Sequence, residues 1–106
     1  MIEERKINDI VNRIATNFNP EKIILFGSYA NGNASNDSDL DLLIIKDSTL
    51  PRHKRSFEIQ KSLIGSFVPM DILVYTIMEY EQEKNEKHSF LYSAIKSSKI
   101  LYEKSR

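Results

Sequence analysis

Asp39 and Asp41 stand one residue apart in the stretch "GSYANGNASNDSDLDLLI", Gly27 to Ile44, where a polar loop runs into an apolar segment. A carboxylate at the mouth of a buried strand is costly unless it is paired or holds a cation. In a strand, side chains alternate between faces, so Asp39 and Asp41 share one face while Leu40 and Leu42 take the other. Their Cα atoms are then expected roughly 6.6–6.8 Å apart. Two such carboxylates can lean onto one magnesium ion, which takes oxygen ligands at about 2.1 Å and keeps positions open for water and substrate phosphates. The chemistry this pair suits is metal-assisted transfer at phosphorus.

Gly27 and Ser28 precede the pair at the end of another apolar run, "KIILFG". Glycine permits a sharp turn and close backbone approach, and Ser28 offers a hydroxyl and a backbone N–H. If Tyr29-Ala30-Asn31 begin a helical turn, these donors face an anion site, and Gly32 ends the turn. Asp71, inside "VPMDILVY", supplies a third carboxylate if its strand neighbours that of Asp41. Two metals about 3.5–4 Å apart can hold the attacking and leaving oxygens of an in-line displacement, and three carboxylates suit that scheme.

Each feature alone has an ordinary reading. A lone Gly-Ser is a turn, and a D-x-D is often a surface acid pair. The glycine and closing glutamate of a calcium-binding EF-hand loop are absent. Asp71 by itself is equally readable as a capping or salt-bridged strand acid. The combination, in this order and strand context, is far more specific than any one part.

These residues need a scaffold. Ile7, Ile10, Val11 and Ile14, with Phe18 one turn on, follow one helix face, which predicts an amphipathic helix over 3–16 closed by Asn19-Pro20. "KIILFG" reads as a strand, and "LDLLII" as a second, apolar on both faces and therefore central. Ser48, Thr49 and Pro51 signal a helix start, and a helix through Phe57, Leu63 and Ile64 is expected to stop near Gly65. "FVPMDILVY" is a third strand. Thr76 and Ser89 are placed to cap two further helices, and "KILYE" reads as an ambiguous edge strand. Strands alternating with helices predict an α/β (α+β) fold, a small sheet covered mainly on one side.

The chain of 106 residues is expected to be a single domain, 1–106, with 41% apolar and 28% charged residues. Fifteen basic residues balance fifteen acidic ones, which argues against binding nucleic acid through bulk charge. Without cysteine, disulfides and thiolate metal sites are excluded. The charged start and the lack of a long apolar run predict a cytoplasmic protein with no membrane association.

The "GSYANGNASNDSDLDLLI" stretch resembles the G-S-x-A-x-G … S-D-x-D-L signature of the polymerase-beta-like nucleotidyltransferases. The particular likeness is to the minimal nucleotidyltransferases, short proteins often encoded beside a HEPN-domain partner. It extends over the leading helix, "IILFGS", "SDLDLLI", "VPMDILVY" and the ending "FLYSAIKSSKILYE". The resemblance implies the polymerase-beta-like nucleotidyltransferase fold, a small mixed sheet flanked by helices. It implies ATP as substrate and magnesium, two ions, as cofactor. Gly27 and Ser28 would hold the triphosphate, Asp39 and Asp41 the nucleotide and metals, and Asp71 the third acidic position. It implies transfer of AMP to a tyrosine of a HEPN-domain toxin, with this chain as the antitoxin.

Many relatives of this kind carry arginine where this chain has Tyr29 and Asn31. Neither replacement supplies the charge or the bidentate geometry of arginine, so weaker holding of the triphosphate is expected while the metal site stays intact. An antitoxin that masks its partner by binding alone is therefore the alternative. Small size leaves little wall for a small acceptor, which favours a protein acceptor or an oligomer that completes the pocket. An oligomeric small-molecule nucleotidyltransferase ranks third. "RHKR", Arg52 to Arg55, reads first as solvated surface, with a phosphate or acidic partner second. His53 and His88 read as surface histidines, "EYEQEKNEKH" as an exposed salt-bridged helix face, and Tyr80, Tyr92 and Tyr102 as core-edge packing.

Overall fold

The computed structural model describes residues 1–105. Helix α1 runs Glu4–Phe18 and buries Ile7, Ile10, Val11 and Ile14, the stripe that the spacing predicts. It ends two residues beyond the expected boundary. Asn19 takes the left-handed conformation, φ 51°, and its N–H donates to the Ala15 carbonyl, so a C-cap rather than Pro20 alone closes the helix.

Four strands form one mixed sheet in the order β3-β2-β1-β4. They are β1 Lys22–Phe26, β2 Leu40–Ile45, β3 Met70–Tyr75 and β4 Lys99–Glu103. β1 pairs antiparallel with β2 and with β4, while β2 and β3 run parallel. β2 is central as its apolar pattern requires, and the "KILYE" segment is an edge strand beside β1. A four-residue turn of helix, α2 Ser28–Asn31, follows β1. Between β2 and β3 lie a 3-10 turn at Arg52–Lys54 and helix α3 Phe57–Ser62. Helices α4 Ile77–Glu83 and α5 Phe90–Ile95 connect β3 to β4.

Both faces of the sheet are covered, which corrects the expectation of a mainly one-sided sheet. On one face α1 and α3 pack Ile10, Ile14, Ile59 and Leu63 onto Ile23, Leu25, Leu42, Ile44 and Val74. On the other, Tyr80 of α4 and Leu91 of α5 close over Ile24, Phe26, Leu43, Ile45 and Tyr75. The one-sided reading missed this because α4 and α5 each bury a single residue, too few to print a helical stripe.

Both predicted caps are present. Thr76 accepts from the Glu79 N–H at 3.1 Å and Glu79 accepts from the Thr76 N–H at 2.9 Å, a complete capping box. Ser89 accepts from the Tyr92 N–H at 3.0 Å. α3 is shorter than its apolar residues suggest. Only Ile59 is buried within it, while Phe57 and Ile64 face solvent. The third strand also starts later than "FVP", because Phe67 adopts positive φ and lies outside the ladder.

Candidate active site

Gly27 ends β1 with φ 73° and ψ −155°, a region that side chains essentially exclude. The conformation turns the chain directly into α2. The Gly27 carbonyl accepts from Ala30 N–H at 3.0 Å and Asn31 N–H at 3.1 Å, and Gly32 closes the turn in the left-handed conformation. The leading N–H groups of such a turn have no carbonyl within it to bond. Ser28 heads that turn, directly after Gly27. A Cβ added at Gly27 would collide with the Asp41 carboxylate and stand 3.1 Å from its Cγ. The glycine is thus what lets the turn and the acid occupy one place.

The acids come together through strand register. Asp41 is the Cα partner of Phe26 across β1/β2 and of Asp71 across β2/β3. Paired positions point to the same face, so Phe26, Asp41 and Asp71 form one row across three strands. Asp39 precedes the first residue of β2, two positions from Asp41. Leu40 and Leu42 turn to the opposite, α1-covered face, as alternation requires. The Leu40 N–H donates to the Pro69 carbonyl at 2.9 Å, which fixes the start of β2 against the approach to β3.

Partial burial raises the Asp41 carboxyl above its ordinary value, and the negative charges of Asp71 and Asp39 raise it further. None of the three forms an ion pair among the described residues. Three hard oxygen donors that repel one another, with no cationic side chain, are the donor set that fits a divalent cation such as magnesium. The residues present fit the implied metal on that ground.

Tyr29 and Asn31 both have structural partners. The Tyr29 hydroxyl accepts from the Ile2 N–H at 3.0 Å and the residue packs against the α1-side core. Asn31 Oδ1 accepts from the Asn33 N–H at 3.1 Å. In the loop that follows, Ser38 Oγ accepts from the Ser35 N–H at 2.9 Å, and the Met1 ammonium donates to Asn36 Oδ1 at 2.8 Å.

"RHKR" has a third role that neither sequence reading gave it. Arg55 donates to both Glu79 oxygens, at 2.6 and 3.2 Å, and to the Leu50 and Val74 carbonyls. Arg52 reaches Glu83 at 2.9 Å and lies over the Tyr75 ring, 4.2 Å from its centroid. These arginines tie the β2–β3 crossover to α4. One neighbour of the carboxylate row was also invisible in sequence: Phe90 of α5 meets Phe26 edge-to-face, ring centroids 5.9 Å apart at 83°. Sixty-four positions separate the two residues in the chain, and no local pattern joins them.

A mixed sheet with a Gly-Ser turn leading from one strand and acids in register on the next two defines a nucleotidyltransferase class of fold. The chain belongs to the polymerase beta nucleotidyltransferase family, whose model matches residues 8–106. A relative from Methanocaldococcus jannaschii, named "Putative protein adenylyltransferase MJ0604", is 31% identical over 107 residues, spanning 96% of this chain and all of the relative. The crystal structure of "a putative nucleotidyltransferase from Sulfolobus solfataricus" superposes with a TM-score of 0.66 at 19% identity, covering 94% of this chain and 79% of the other. That likeness shows the same fold.

Proposed function

We propose that this nucleotidyltransferase is a magnesium-dependent protein adenylyltransferase of the minimal type. It would move AMP from ATP to a tyrosine hydroxyl of a HEPN-domain toxin and act as its antitoxin. The observation that carries the reading is the register that sets Asp41 beside Asp71, with Asp39 two residues before Asp41 and Gly27 against Asp41. A relative named for protein adenylylation agrees with it. The toxin and its tyrosine rest on the resemblance of "GSYANGNASNDSDLDLLI" to the minimal nucleotidyltransferases.

In this reading Asp39, Asp41 and Asp71 hold two magnesium ions, which supply neutralisation of charge on the triphosphate and on the leaving pyrophosphate. The N–H groups at Ser28 and Tyr29 and the Ser28 hydroxyl orient the phosphates from the β1 end. The acceptor oxygen attacks the α-phosphorus, the bond to pyrophosphate breaks, and the acceptor's proton passes to solvent or a carboxylate of the row. Asp71 is exposed, on the edge strand β3 of the sheet.

The engagement of Tyr29 by Ile2 and of Asn31 by Asn33 favours one second reading, an antitoxin that masks its partner without turnover. ATP labelled on its α-phosphate, added with magnesium and purified protein to a lysate of the source cells, separates the two. A single labelled band, lost with the Asp39→Asn, Asp41→Asn double variant, supports transfer and names the acceptor. An unlabelled lysate together with no triphosphate binding supports masking.

A further inference from the structure

We propose that Phe90 is the platform on which the nucleobase of the bound triphosphate stacks. The proposal rests on the reading that the carboxylate row holds a nucleoside triphosphate, and it adds the residue that meets the base. Backbone amides and carboxylates engage phosphates and metals, and neither grips an aromatic ring.

Phe26 is the hub of the argument. It is the Cα partner of Asp41, it shares that acid's face of the sheet, and Gly27 follows it in the chain. The phosphate-facing turn, the acid row and the Phe90 ring therefore all border one buried side chain. Phe26 is 8% exposed and belongs to the core cluster under α4 and α5, so it is a fixed support. Phe90 stands on it edge-to-face at 83°. With the two rings near-perpendicular, Phe26 covers at most one face of the Phe90 ring and leaves a π-face without it.

Position and exposure of Phe90 also need an explanation. It is 55% exposed, although the next residue, Leu91, is fully buried and anchors α5 to the sheet. Ser89 caps the helix at this point, so the backbone carrying the ring is held. A rigid, half-exposed aromatic ring beside a triphosphate site is a sequence-tolerant way to hold a base, because every base has a π-face. Of the other exposed phenylalanines, Phe57 lies on α3, whose Ile59 packs on the opposite face of the sheet, and Phe67 lies in the loop between α3 and β3.

The chain contains no tryptophan, so Phe90→Trp places a single indole at the proposed platform. With magnesium present, ATP should quench that fluorescence, while inorganic tripolyphosphate, which has no base, should not. Phe90→Ala should weaken ATP binding roughly 5- to 100-fold and leave tripolyphosphate binding unchanged. Equal ATP affinity in wild type and Phe90→Ala would overturn the proposal and spare the nucleotidyltransferase site. So would equal loss of both ligands, the mark of a structural role. Loss of partner binding alone would assign Phe90 to protein docking instead. If wild-type protein binds neither ligand, the triphosphate reading itself fails and the platform fails with it.

Discussion

Gly27 and Asp41 occupy adjoining space so closely that no side chain fits between the β1 turn and the acid. The glycine thereby couples two functions that sequence separates by fourteen positions: it frees the turn to swing into α2, and it leaves the carboxylate its place in the acid row. Gly27→Ala must relieve both a clash with Asp41 and a backbone conformation that costs about 1–3 kcal/mol for a non-glycine residue. The variant is expected to lose that much stability in chemical denaturation. Adenylyl transfer should fall on the order of 100-fold, since small misplacement of reacting groups is enough for such a loss. Gly32→Ala, whose added Cβ meets nothing within 4 Å, is the control. It carries backbone strain but should keep most activity.

Like charges crowd Asp41, and this has a signed consequence for stability. Its raised carboxyl means that the folded protein holds a proton more tightly than the unfolded chain. Asp41 therefore costs stability as pH rises through the carboxylate range, and the cost vanishes in acid, where both states are protonated. Without metal, Asp41→Asn should melt above wild type at neutral pH and match it well below pH 4. Magnesium should raise the wild-type melting temperature by mass action and leave Asp41→Asn unmoved. Equal response of the two proteins to magnesium would remove Asp41 from the proposed metal site.

Glu79 carries the opposite sign. Hydrogen bonds from Arg55 hold its carboxyl down at about 2, with the Thr76 amide of the capping box contributing. The folded state binds this proton less tightly than the unfolded chain, so Glu79 stabilises above about pH 4.5 and the gain is lost as pH falls toward 2. The pair is partly exposed, and solvent screening reduces its worth to about 1 kcal/mol. Glu79→Gln should lose that amount at pH 7 and show a flatter acid-unfolding profile. Arg55→Met should be worse, because Arg55 also serves the Leu50 and Val74 carbonyls from a nearly buried position.

Much of this arrangement is legible from neighbouring residues alone. The α1 stripe, the central β2, the Thr76 and Ser89 caps and the pair of aspartates at a strand mouth all depend on spacings of a few positions. What escapes is set by distant pairing. That Asp71 stands opposite Asp41 follows from the parallel β2/β3 register, which a one-residue slip would have destroyed by turning Asp71 to the other face. Arg52 and Arg55 look like surface charge because their partners, Glu79 and Glu83, arrive from α4 beyond an intervening strand. Phe57 and Ile64 look like helix core by spacing, yet α3 buries Ile59 and leaves Phe57 exposed, and it ends before Ile64.

Asn31 offers the most direct test of whether the loop limits catalysis. It is exposed on α2, and among the described residues its side chain bonds only the nearby Asn33 N–H, so its replacement disturbs little. Tyr29 is the poorer place to intervene, because it packs on the core and its hydroxyl receives the Ile2 N–H. Asn31→Arg would add a fixed positive charge and a bidentate donor beside the Ser28 turn. A charge-assisted hydrogen bond of about 1.5–3 kcal/mol corresponds to an affinity gain of roughly tenfold or more. ATP and tripolyphosphate should both bind tighter by that factor, with an unchanged melting temperature in the absence of ligand. If affinity rises and turnover rises with it, the native asparagine restrains an enzyme. If affinity rises but no AMP is transferred to any acceptor, the carboxylate row binds without catalysis, and the masking antitoxin becomes the better account.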